Sequence, residues 1–170
     1  MPNLTVIGID PGSRNTGWGI VCEKSGVLTL VECGVIRPST DGEFSDRLAE
    51  IFHELTKIID TYSPDESAIE QVFGGSNPAT ALKLGQARGV ACAACASRNI
   101  RVTDYEPRVV KKAIVGVGSA EKSQVAFMVG RLLGRKVDGF AVDATDALGV
   151  AICHLTQHRF MEKLKPNRRG

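Results

Sequence analysis

Apolar positions along the chain change period several times, and each change marks an element. Leu4, Val6, Ile7 and Ile9 form a short, mostly β-branched run without polar alternation, which predicts a strand buried on both faces. Pro11-Gly12 supplies the turn that ends it. Asp10 therefore stands at the carboxyl end of a central strand, where open α/β sheets place their ligands. Thr16 to Glu23 and Val27 to Arg37 read as two further strands, joined by a hairpin turn at Ser25-Gly26. Gly17 and Gly19 leave one face of the first of these bare near Asp10. They either admit close approach of a phosphate or of backbone, or merely relieve crowding.

From Ser45 to Tyr62 the period becomes helical, with Leu48, Ile51, Phe52, Leu55, Ile58 and Ile59 on one face and Asp46, Arg47, Glu50, Glu54 and Lys57 toward water. Ser63-Pro64-Asp65 breaks this helix, and Glu66 to Val72 reads as a strand running into the loop Phe73-Gly74-Gly75. Asn77-Pro78, a cap followed by a proline, starts a helix to about Arg98. Ile100 to Tyr105 is a fifth strand, and helices follow at 107–115, 119–134 and 142–160. The order predicts an α/β domain, a mixed five-stranded sheet flanked by helices, over residues 1–160. Residues 161–170 are expected to be a basic, disordered tail.

Composition changes this picture in two ways. The net charge of +2 hides an asymmetry: residues 1–100 carry 8 Lys and Arg against 12 Asp and Glu, whereas residues 101–170 carry 13 against 7. A basic surface built from the second part suits a polyanion. The five cysteines are odd in number, and Cys92 and Cys95 lie in an Ala-rich helical stretch, which favours small core residues over a disulfide framework or zinc site. No apolar run reaches the roughly 18 residues a membrane span needs, and the start lacks a basic-then-apolar leader, so the expected compartment is the cytoplasm.

Glu70 closes the fourth predicted strand as Asp10 closes the first, while Asp143 and Asp146 share one face at the start of the last helix. Three of these acids have an ordinary explanation, a turn aspartate for Asp10 and helix capping for Asp143 and Asp146. Gathered together, four carboxylates would repel one another unless cations neutralise them, and all-oxygen ligands suit Mg²⁺ or Mn²⁺. Two such ions roughly 4 Å apart can activate water against a phosphodiester.

The segments Gly8-Ile9-Asp10-Pro11-Gly12-Ser13-Arg14, Ile69-Glu70-Gln71-Val72-Phe73, Ala81 to Gly89, Val115 to Lys122 and Asp143-Ala144-Thr145-Asp146-Ala147-Leu148 occur in this order. Together they closely resemble the RuvC family of Holliday-junction resolvases, over about residues 4 to 158. The resemblance implies a ribonuclease H-like fold with helices on both faces of the sheet. It also implies a homodimeric endonuclease of recombination and repair, nicking opposed strands of a four-way DNA junction symmetrically. Asp10, Glu70, Asp143 and Asp146 match the family's catalytic and metal-binding acids, at two Mg²⁺ per site with Mn²⁺ as an alternative. Asp10 would bridge both ions, Glu70 and Asp146 would complete one each, and Asp143 would serve as a ligand or act on the water. The branch-migration complex of RuvA and RuvB is the implied partner.

Arg108, Lys111 and Lys112 share one helical face, and Lys122 opposes the dipole at a predicted helix start, so phosphate contact is expected of them beside the plainer reading of solvated cations. Phe73 at its Gly-Gly loop matches a base-stacking aromatic in the family, and Arg14 and Gln71 complete the DNA-contact candidates. Three rivals stay open: an actin-like or sugar-kinase-like ATPase, from Asp10-x-Gly12 with Gly17; a silent nucleic-acid-binding module; and a small nuclease for RNA or linear duplex.

Overall fold

A computed structural model describes residues 3–71 and 77–164 of the chain. Five strands, β1 (Leu4–Asp10), β2 (Thr16–Lys24), β3 (Val27–Ile36), β4 (Glu66–Glu70) and β5 (Arg101–Tyr105), form one sheet in the order β3-β2-β1-β4-β5. β1 pairs antiparallel with β2 and parallel with β4, so the sheet is mixed and β1 is its middle strand. The hairpin between β2 and β3 turns at Ser25 and Gly26, whose φ angles of 51° and 84° are both left-handed. This is the type I′ geometry that matches strand twist.

Helices α1 (Phe44–Tyr62) and α2 (Pro78–Ala96) cover one face, where Ile7, Ile9, Ile20 and Ile69 meet Ile51, Leu55, Ile59, Ala91 and Ala94. Helices α3 (Pro107–Val115), α4 (Lys122–Leu132) and α5 (Val142–Leu164) cover the other, packing Val110, Val125, Val129 and Leu148 over Val6, Val21 and Ala68. Helices thus lie on both faces, as the family resemblance implies.

The glycines of the sheet have a specific task under α5. Gly8, Gly17 and Gly19 lie on the α5 face, Gly8 opposite Gly19 and Gly17 opposite Asp10. A Cβ on Gly17 would lie 1.9 Å from the Asp143 carbonyl oxygen, and one on Gly8 would lie 2.1 Å from that of Ala147. Backbone, not phosphate, makes the close approach that these residues allow. The helix sits directly on the sheet, and its far part is fastened by a buried chain: Tyr105 Oη lies 2.9 Å from His154 Nδ1, and His154 Nε2 lies 2.6 Å from a Glu66 carboxylate oxygen.

Boundaries differ where caps decide them. α4 begins at Lys122, three residues later than expected, because Glu121 and Gln124 form a capping box there. β4 ends at Glu70, although the Gln71 amide still donates to the Tyr105 carbonyl at 2.8 Å. α2 starts at Pro78 with the Asn77 side chain accepting from the Ala79 amide, as its sequence predicts, and ends at Ala96. α5 continues to Leu164, with Lys163 favourably placed at its negative end, so residues 161–164 of the expected tail are helical. The rest of that tail, 165–170, lies outside the described residues, as does Phe73.

Candidate active site

Two strand ends create the centre of the site. The parallel pairing that sets Ile9 beside Ile69 carries Asp10 and Glu70 out of the sheet side by side. They stand close enough for each carboxyl group to act on the pKa of the other. Burial, followed by the negative charge of Glu70, pushes the Asp10 carboxyl up from 3.8 to about 8, and Asp146 and Asp143 add to the effect. Burial also raises Glu70, with Asp146 repelling it further, while the Asp10 hydrogen bond and the charges of Lys122 and Lys111 pull the other way.

α5 brings the remaining acids across the sheet. Asp146, a turn inside the helix, joins Asp10 and Glu70 around a cavity of about 270 Å³ that Lys111 of α3 and Lys122 of α4 also line. The Lys122 ammonium donates to Asp146 at 3.1 Å, and that carboxylate, then Asp10 and Glu70, hold the lysine pKa above its ordinary value. Asp146 is thus oriented by a lysine twenty-four residues away rather than by helix capping. Asp143, in the first turn of α5, borders a second cavity on the other side of Asp10. Asp10 forms the wall that both cavities share.

The donor set fits hard divalent cations. It consists of carboxylate oxygens, and burial together with the neighbouring acids raises Asp10, an environment that a cation would relieve. Among the described residues, no three Asp, Glu, His or Cys side chains stand ready-made as the ligand shell of a single ion. The Lys122 ammonium, paired with Asp146, and Lys111 bring positive charge to the acid cavity.

The other predicted contacts fall unevenly. Lys111 and Lys122 reach the acid cavity, and Arg14 borders the second one. Lys112 and Arg108 are exposed outside both, with Arg108 lying against Gly118. Gln71 is half-buried at the end of β4. Sequence reasoning missed Arg47, Thr80 and Lys83, which line the second cavity. Arg47 was expected to face water from α1, yet it is half-buried; helical period alone cannot say that α2 crosses in front of it. The nearby Phe44, three residues earlier, was the one available signal.

Comparison with known proteins agrees with this geometry. A sequence model of the family described as "Crossover junction endodeoxyribonuclease RuvC" matches residues 6–154. A protein of that description from Lawsonia intracellularis is 60% identical over 157 residues, 92% of this chain and 93% of that protein. The structure of Thermus thermophilus RuvC in complex with Holliday junction substrate superposes with a TM-score of 0.87 at 30% identity, over 93% of this chain and 96% of that one. The yeast mitochondrial Holliday junction resolvase, at 13% identity and a TM-score of 0.71 over 94% of this chain and 80% of its own, shares the fold.

Proposed function

The chain belongs to the RuvC family of crossover junction endodeoxyribonucleases, and on that footing we propose that Asp10, Glu70, Asp143 and Asp146 are its catalytic residues. It is a ribonuclease H-like endonuclease that hydrolyses phosphodiester bonds and resolves four-way DNA junctions, and it depends on a divalent metal. One observation supports the residue assignment: Asp10 and Glu70 leave adjacent parallel strands into one cavity, which Asp146 and Lys122 also line.

Asp10 borders both cavities and would hold both ions, with Glu70 and Asp146 completing one site each and Asp143 adding its carboxylate from the opposite side. Mg²⁺ is the cation assigned, two per site with Mn²⁺ as an alternative, and when bound it would supply an activated water and neutralise the leaving oxygen. Lys111 and Lys122 face the position that the scissile phosphate would take. Arg14, Gln71, Arg108 and Lys112 are assigned to the DNA backbone beyond it, and Phe73 to a base at the junction centre.

Symmetric cutting calls for two active sites, and α2 offers a surface for a homodimer. Its outward side carries Gly85 and Gly89, where an added Cβ would meet open space, beside Leu82 at 65% exposure. Exposed glycines cost a helix about 1 kcal/mol each relative to alanine, so close approach of a second backbone gives them a reason. The cytoplasm and the RuvA–RuvB complex are the proposed setting. Among the described residues no helix is long and apolar enough to cross a membrane.

The deciding experiment incubates the protein with four-way and linear DNA, with and without Mg²⁺, and sizes the products. Paired nicks confined to the junction and to the metal are expected. Asp10→Asn should bind the junction without cutting it, and a variant that still cuts refutes the assignment. Binding without any nicking by the unaltered protein would favour the silent binding module instead.

A further inference from the structure

The cavity on the Asp143 side of Asp10 has a character unlike that of the acid cavity. It measures about 460 Å³, and Arg14, Arg47 of α1, and Thr80 and Lys83 of α2 wall it, with Asp10 and Asp143 at its inner end. Arg47 and Lys83 come from different helices to the same ring: the charged centre of each lies 5.7 Å from the centroid of Phe44. Among the described residues neither cation has a carboxylate partner. The Arg47 Nε is buried, with no hydrogen-bond partner among the described residues.

Each cation is attracted to the ring on its own, but the arrangement as a whole carries two costs. Two like charges over one ring repel, and a buried guanidinium N–H without an acceptor forfeits the hydrogen bond it had in water. An anion entering the cavity reverses both, since arginine offers a planar edge of donors and lysine a mobile point charge. Thr80 lies in the first turn of α2, whose dipole also favours negative charge there. The three cations outnumber the two carboxylates at the inner end, and those carboxylates belong to the catalytic set.

We propose that this cleft seats a backbone phosphodiester of the cleaved strand next to the scissile one, gripped by Arg47 and Lys83. The proposal rests on the nuclease reading above and deepens it. With one phosphate held here and its neighbour in the acid cavity, the strand must cross Asp10 in one register. Arg47 and Lys83 are therefore positioning residues, setting which bond meets the acids.

The test combines two substitutions with one altered substrate. Arg47→Gln and Lys83→Gln should each flatten the slope of log affinity against log salt by about 0.9, the counterion released by one phosphate contact. Each should slow single-turnover cleavage by about tenfold or more, as loss of a charge-assisted bond does. Arg47→Lys should restore the salt slope while leaving cleavage slow. A junction with one uncharged methylphosphonate beside the cut should slow the unaltered protein similarly and slow Arg47→Gln little further. Because Lys83 is exposed, its substitution leaves the fold intact, and melting temperatures check Arg47. Unchanged salt slopes in both variants, or methylphosphonate effects that multiply with theirs, overturn the cleft. If the unaltered protein cuts junctions and the variants match it, the cleft alone fails; if the unaltered protein does not cut, the nuclease reading fails.

Discussion

Burial, with the charge of Glu70 added to it, raises the Asp10 carboxyl, and this has a consequence for stability. Its pKa is about 8 in the fold against an ordinary 3.8, so between those values the folded chain binds more protons than the unfolded one. Stability must then decline as pH rises through that window and level off above it. Melting curves in a chelator should show a falling midpoint from pH 5 to pH 8, with a shallower fall in Asp10→Asn. If Asp10 holds the metal as proposed, a divalent cation competes with that proton, so added Mg²⁺ should raise the midpoint more at pH 8 than at pH 5.5; an equal rise at both would refute the coupling. The thiols behave oppositely to reactive ones: burial pushes Cys95 up to about 11 and Cys153 up to about 12, and all five cysteines are unpaired. Cys95 and Cys153 therefore belong to the packing of the core, as the Ala-rich setting of Cys95 already implied.

At the scale of elements, the site depends on how closely α5 sits on the sheet. Gly17→Ala would drive a methyl group into the Asp143 carbonyl, 1.9 Å from the ideal Cβ, and the backbone of α5 cannot yield without moving Asp143. Unfolding in urea should show a loss of about 1–3 kcal/mol, the usual cost of overpacking. Cleavage should fall further than junction binding, because the acids shift while the lysines remain. Gly85→Ala is the contrasting case. With open space around its Cβ it should stabilise the monomer by about 1 kcal/mol and weaken self-association, which sedimentation would report. At the other end of α5, Tyr105→Phe takes away the partner of His154 Nδ1, and a loss of about 1 kcal/mol or more is expected at constant m-value.

For the whole molecule, charge governs the encounter with DNA. The excess of base over acid in residues 101–170 reaches the site through Lys111 and Lys122, while the first part of the chain contributes Arg14, Arg47 and Lys83 to the adjoining cleft. If four of these meet phosphates, raising monovalent salt from about 50 to 200 mM should weaken junction binding roughly a hundredfold. A flat response in a filter-binding or fluorescence titration would rule out a backbone-gripping surface. The charge asymmetry visible along the chain is thus only part of the footprint, because folding adds cations from an otherwise acidic half.

Much of the architecture was legible in the amino-acid order because it rests on local rules. The unbroken apolar run ending at Asp10, the helical period of α1 and the Asn77-Pro78 start of α2 each follow from neighbours within a few residues. Asp10 and Glu70 could be placed at strand ends for the same reason, since turns interrupt buried strands wherever the chain leaves the core. Helix starts such as Lys122 shifted because reciprocal capping by Glu121 and Gln124 outweighs hydrophobic period. Tertiary structure alone decided that Lys122 neutralises Asp146, that Gly8 and Gly17 yield space to α5, and that Arg47 meets Lys83 over Phe44. Those contacts join residues far apart in the chain, and their energies depend on distance and burial that only the packed fold creates.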